Sequence, residues 1–196
     1  MSFSTPTVAR TPQHIRQVSY RSYVREDGLW DVEGELLDTK AVDVPHPNGR
    51  GIRKAGDPIH HMQIRVTINK QLVVQAIEAH MLAHPVQGCP GALAAMQRMV
   101  GCSMARGWRK SIEANLASVA GCTHMRELLQ NMATAAFQSV VEAFQVGPNQ
   151  PPAYLGKCTG WDFDGPAVAQ HFPQFVHWDS RIPPAPETEQ SNPSSV

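Results

Sequence analysis

The periodicity of the chain changes once, near residue 90, and that change sets the fold class. Before it, apolar and polar residues alternate. In "IHHMQIRVTI" the residues His60, Met62, Ile64, Val66 and Ile68 share one phase, the two-residue repeat that gives a strand a single buried face. After it the repeat lengthens, with Leu93, Met96, Met99 and Val100 on one side of a helix. Two further helical stretches, "WRKSIEANLAS" and "THMRELLQNMATAAFQSVVEAFQ", follow. Strands followed by helices imply an α+β fold, an antiparallel sheet with helices packed on one face.

The first half of the chain supplies at least four strands. "VSYRSYVREDGLWDVEGELLDTK" has β-branched and aromatic residues on both sides of Asp27-Gly28 and reads as a hairpin. Asn69-Lys70 is a second turn, between the strand through His60 and "QLVVQAIEAHMLAH". Apolar periodicity fails at both ends, so residues 1–15 are expected to be flexible and 179–196 disordered, around a single domain over 16–178. The aromatic, proline-broken "YLGKCTGWDFDGPAVAQHFPQFVHW" is expected to cover the sheet or a pocket.

Charge narrows the partners. Seventeen basic residues balance seventeen acidic ones, and the basic runs are only pairs such as Arg53-Lys54 and Arg109-Lys110. Neither nucleic acid nor an anionic membrane is an expected partner; a small-molecule substrate is. No apolar h-region opens the chain and no run of eighteen apolar residues occurs, so the expected location is cytoplasmic. In a reducing compartment the four cysteines, Cys89, Cys102, Cys122 and Cys158, are expected as thiols or ligands rather than disulfides.

"GCTHMRELLQ" places Cys122 and His124 at the start of a helix, where free backbone N–H groups and the dipole favour a thiolate that binds metal or attacks an electrophile. The plainer alternative is a buried thiol beside a capping threonine, Thr123, and a surface imidazole. His60 falls in the apolar phase of its strand, whereas His61 faces the other way; a core histidine held by a backbone carbonyl is the alternative to a ligand. Cys89 lies between Gly88 and Pro90 at a strand-to-helix junction. Together Cys89, Cys122, His124 and His60 offer donors suited to Zn(II) or Fe(II). Asp31 and Glu33 point to one face of their strand, where Asp31 is a candidate general base or simply a solvated carboxylate. Asp57, in "AGDP", is a turn residue by default, and Cys102 and Cys158 are read as structural.

Two resemblances add to this reading. "DGLWDVEGELLDTK", "GDPIHHMQIRVTI" and "GCTHMRELL" resemble an uncharacterised bacterial family that shares DGLWDVEG, a G-x-P-I-H-x-M strand and GCTHL, over roughly residues 15 to 178. "AGDPIHHMQIRV", "VVQAIEAHMLAHPVQGCPGALAAMQRMVGCS" and the cysteine opening the last long helix look like the iron–sulphur scaffold proteins of the IscU/NifU type. That likeness implies a sheet of three to four antiparallel strands with helices on one side, and a metal site in which Asp57, Cys89 and Cys122 match the scaffold's Asp and its second and third Cys. Ala55 stands where the first Cys belongs, which leaves room for a mononuclear site completed by His60 or His124.

The expectation that follows is a metal-dependent enzyme acting on a small aromatic or acyl molecule. Metal ligands would come from Cys89, Cys122, His124, His60 and Asp57, acid–base groups from His60, Asp31 and His124, and an apolar wall from Trp30, Trp161, Phe163 and Trp178. A lyase, by C–C cleavage or elimination, suits a metal with one base; hydrolysis is compatible. The alternative is a non-catalytic metal or sulphur carrier.

Overall fold

The computed structural model of the chain describes residues 3–46, 49, 51–140 and 150–178. Six strands come first: β1 (His14–Val24), β2 (Trp30–Lys40), β3 (Val44–Pro45), β4 (Ile52–Arg53), β5 (Pro58–Ile68) and β6 (Val74–Ala83). Helices α1 (Trp108–Leu116), α2 (Thr123–Ser139) and α3 (Pro166–His171) follow. Four strands form one antiparallel sheet in the order β1-β2-β5-β6, and β3 and β4 make a separate two-stranded ribbon inside the Pro- and Gly-rich loop. The α+β class and the four antiparallel strands are as the alternation implies.

Register turns that alternation into two unlike surfaces. Val18, Leu36, Met62 and Met81 lie side by side across the sheet, as do Tyr20, Gly34, Ile64 and Ala79. Val32, Leu36, Met62, Ile64, Val66 and Ile68 are buried on this face, over which lies α2 with Met125, Leu128, Leu129 and Met132 buried; α1, which buries Trp108, Ile112 and Leu116, packs against α2. Full burial of each such side chain contributes about 1.5–3 kcal/mol, so this face holds the sheet and helices together. The opposite face carries charges in cross-strand pairs: Glu33 with Arg65 at 2.8 Å, Arg65 with Glu78 at 3.0 Å and Glu35 with His61 at 2.8 Å.

A glycine lets α2 lie close. A Cβ at Gly34, midway along β2, would stand 2.6 Å from Met132 Cε and 3.2 Å from Leu128 Cδ1, so the missing side chain leaves room for the ends of these two α2 residues against the sheet. Above it, the Tyr20 hydroxyl donates to the Leu128 carbonyl at 3.1 Å, and Trp108 Nε1 donates to the Leu129 carbonyl at 2.8 Å. Two neighbouring elements thereby anchor the same turn of α2.

Of the residues the helical spacing selects, Met96 and Met99 are buried, Leu93 is half-buried and Val100 is 43% exposed, and the stretch forms two 3-10 segments, Cys89–Ala92 and Ala94–Met99, rather than an α-helix. Gly88, Pro90 and Gly91 at one end and Gly101 at the other leave little length for α-helical bonds. The segment is instead fastened to β6: Gln97 Nε2 donates to the Ile77 carbonyl at 2.8 Å, and Gly101 N–H to the Val74 carbonyl at 2.9 Å. It thereby protects part of an otherwise open sheet edge.

By contact the chain divides into two compact units, residues 1–141 and 142–196. In the second, Leu155, Val168 and Phe175 form a small apolar core packed by Tyr154, Trp161, Phe163, Phe172, Val176 and Trp178. Residues 3–13 precede β1 without regular structure and are exposed, and the expected tail over 179–196 lies outside the described residues, as does the helical continuation past residue 140. No helix among the described residues is long and apolar enough to cross a membrane.

Candidate metal centre

Asp38 is the last residue of β2 in the buried phase, following Val32, Gly34 and Leu36, and it is 1% exposed. An ionised carboxylate at such a position requires partners, and the register supplies one on each side. Arg16 of β1 and His60 of β5 are its cross-strand neighbours. Arg16 grips the carboxylate as a fork, Nε donating to Oδ1 at 2.7 Å and Nη2 to Oδ2 at 2.8 Å. His60 Nδ1 lies 3.0 Å from Oδ2, and His14 Nε2 3.2 Å from Oδ1.

The helix layer adds a second imidazole next to Oδ2. His124, in the first turn of α2, lies against His60 with ring centroids 3.8 Å apart and planes tilted by 33°, and brings its Nε2 to 3.9 Å from Oδ2. Gly121 makes this approach possible, since a Cβ there would stand 2.5 Å from the Leu116 carbonyl oxygen at the end of α1. The N-cap of α2 is Cys122 rather than Thr123, and Cys122 makes no side-chain capping bond. Its Sγ lies 3.9 Å from His124 Nδ1, while Thr123 Oγ1 accepts from Arg126 at 3.2 Å. One turn on, Glu127 Oε2 accepts from Arg16 Nη1 at 2.6 Å.

The electrostatics set the protonation states. Burial pushes the Asp38 carboxyl up, but the hydrogen bond and charge of Arg16, with the His60 hydrogen bond, hold it below the ordinary carboxylate value. The same hydrogen bond to Asp38 raises Arg16 against its own desolvation. Burial lowers His124, helped by the nearby His60 and Arg16, and this outweighs the pull of Asp38 and Glu127. An ionised carboxylate beside a neutral imidazole is the state that metal ligation requires.

The spacing is close to what one ion needs. Ligand atoms of Asp38, His60 and His124 all lie within 4.8 Å of one another, the one such grouping among the described residues. Two ligands on one ion with bonds of about 2.0–2.2 Å stand at most about 4.4 Å apart; the 3.0 and 3.9 Å separations from Oδ2 meet that limit, and the 4.8 Å bound on the whole group is slightly wider than it. Two imidazoles and one carboxylate form the donor set of non-haem iron and many zinc sites with open positions. The hydrogen bonds of Arg16 and the ion-pair contact of His14 to Asp38 are of the kind that orient a ligating carboxylate from outside.

Of the residues singled out from sequence, the fold brings His60 and His124 together and places Cys122 beside His124. Cys89, half-buried at the start of the first 3-10 segment, is not part of the grouping. Asp57 accepts the Lys54 N–H at 3.1 Å in its turn. Asp31 lies seven positions from Asp38 along β2, about 23 Å at the usual rise per residue, and on the other face, where Thr67 Oγ1 donates to it at 2.7 Å. Trp30 is one position farther along β2, and Trp161, Phe163 and Trp178 pack in the core of the second unit. Cys102 Sγ accepts from Asn115 at 3.9 Å, and Cys158 is exposed.

Asp38, Arg16, His14 and Glu127 escaped sequence reasoning. The available signal was phase: in "DVEGELLD" Asp38 continues the buried series of Val32, Gly34 and Leu36, and a carboxylate in an apolar phase needs a partner.

No curated protein and no solved structure matches the chain, so the likeness to iron–sulphur scaffolds rests on sequence alone. One family model does match, from the first residue of β1 almost to the end of α2, and its span contains every residue of the centre while leaving the second unit outside. The chain belongs to that family, described as "Protein of unknown function (DUF2889)", over residues 14–138.

Proposed function

We propose that the protein is a metal-dependent enzyme in which Asp38, His60 and His124 hold Zn(II) or Fe(II), and that it acts on a small organic substrate as a lyase. The observation that carries this reading is the convergence of three ligand atoms from β2, β5 and α2 within 4.8 Å, around a carboxylate that is 1% exposed. When bound, the ion would polarise a substrate oxygen, the activation that C–C cleavage or elimination beside a carbonyl or hydroxyl needs. Arg16 and His14 keep the Asp38 carboxylate aligned. With His60 and His124 taken as ligands, His14, 39% exposed at the rim, is the imidazole left to move a proton.

The donor set separates this reading from a sulphur or cluster carrier. It contains nitrogen and oxygen but no thiolate, whereas clusters are held chiefly by cysteines. A second reading, in which no ion is needed, is supported by the fork of Arg16, which already neutralises Asp38. Elemental analysis of the purified protein decides between the two. About one Zn or Fe per chain, lost in Asp38→Asn and in His124→Ala, is expected; no bound metal after reconstitution with either ion would leave only the ion-pair network.

A further inference from the structure

Metal binding leaves one strongly charged group of the centre without a ligand role of its own. Two nitrogens of Arg16, Nε and Nη2, are committed to Asp38. Because the fork fixes the guanidinium plane, the remaining nitrogen, Nη1, is aimed rather than free, and it meets Glu127 Oε2 at 2.6 Å. The inner and outer contacts of Arg16 differ in kind. The Asp38 side chain is 2% exposed, the Glu127 side chain 50%. An ion pair as open as the outer one contributes little and is readily exchanged for another carboxylate, whereas the inner one is held by burial.

Position matters as much as charge. Nη2 binds the same oxygen, Asp38 Oδ2, that faces both imidazoles, so the guanidinium borders the ligand cluster directly. Glu127 lies three residues beyond His124 on α2, so it shares that ligand's side of the helix at the rim of the site. A divalent ion together with Arg16 exceeds the single charge of Asp38. Glu127 offsets part of that excess only while it stays on Arg16.

We infer that the substrate is an organic anion, and that its carboxylate takes the place of Glu127 on Arg16 Nη1 while an adjacent oxygen faces the metal ligands. The inference rests on the metal-centre reading and deepens it: Arg16 is the substrate-binding group, and Glu127 occupies that position when no substrate is present. Arginine suits the task because its planar fork holds Asp38 with one edge and a substrate carboxylate with another.

The test uses the full chain loaded with Co(II), followed by its visible absorption, and titrated with glycolate and with glycolamide, its uncharged counterpart. Glycolate is expected to perturb the spectrum at lower concentration than glycolamide. Glu127→Gln should tighten glycolate by about two- to fivefold and leave glycolamide unchanged. Arg16→Gln, read at cobalt concentrations that saturate its weakened site, should lose the preference for glycolate, and a preference that persists there overturns the inference. Equal binding of the two ligands by the wild type, or no tightening in Glu127→Gln, overturns the inference and leaves the metal centre standing. Failure of the wild type to bind Co(II) overturns the metal centre itself and the inference with it.

Discussion

His60 and His61 are adjacent on one strand, and each faces a carboxylate across the same strand pair, His60 with Asp38 at 3.0 Å and His61 with Glu35 at 2.8 Å. The local chemistry is the same and the outcome is not. Helix α2 lies over the first pair, leaving the Asp38 side chain 2% exposed and adding His124. The second pair stays on the open face, where the Glu35 side chain is 33% exposed. Strand alternation makes both pairs; the layer above decides which becomes a candidate site. A carboxylate out of water must be satisfied from every side, and that need gathers Arg16, His14, His60 and His124 around one residue.

The contrast is broken most sharply by removing each carboxylate in turn. Asp38→Ala should cost about 3 kcal/mol in chemical denaturation, because it strands Arg16 and His60 beside a buried gap. Glu35→Ala should cost less than about 1 kcal/mol, as exposed pairs do. Equal losses would show that the helix layer does not distinguish the two faces.

Next in size is the fit of that layer. Gly34→Ala places a methyl group against Met132 Cε and Leu128 Cδ1. It should destabilise by about 1–3 kcal/mol, as overpacking does, and should weaken metal binding by shifting α2 and with it His124. Unchanged stability would mean that Met132 moves aside and that the spacing of helix and sheet is not set there.

Acid should separate the faces more gently. The folded state holds both Asp38 and Glu35 below their ordinary values of 3.8 and 4.5, Asp38 chiefly through Arg16 acting against burial and Glu35 through His61 and then Gln63. A depressed carboxylate contributes stability above its unfolded value and loses it as pH falls through the folded one. Metal-free protein should therefore lose stability below about pH 4. Asp38→Asn should flatten that limb visibly, and Glu35→Gln should change it little, because solvent screens the open face. A modest effect, about 1 kcal/mol, is expected from Tyr20→Phe, which removes one hydrogen bond to α2 and tests whether the helix is anchored from β1.

The difference between the two faces also marks where the sequence was legible. The two-residue repeat gave the strands, the Asp27-Gly28 hairpin and the opposite orientation of His60 and His61, because these depend on neighbours in the chain. The opening of α2 placed His124 near a helix end. The acid that unites them was not legible, because opposing Asp38 to Arg16 and His60 requires the register of three strands at once. The scaffold likeness points instead to Asp57, and that likeness together with a strand-to-helix junction points to Cys89; neither joins the group of converging ligands. The 3-10 turns are not legible for a related reason: helical spacing selects Met96 and Met99, which are buried, but also Val100, which is exposed, and ties to β6 decide how the backbone winds there.

The central claim is that the covered face holds a metal ion and the open face does not. Anomalous diffraction from crystals grown with Zn(II), recorded at the zinc edge, tests it directly. One peak is expected among Asp38 Oδ2, His60 Nδ1 and His124 Nε2, with none beside the otherwise similar pair of Glu35 and His61. The absence of a peak at Asp38, with zinc absent or bound only on the open face, would contradict the claim and return His60, His124 and Asp38 to the role of a hydrogen-bonded network.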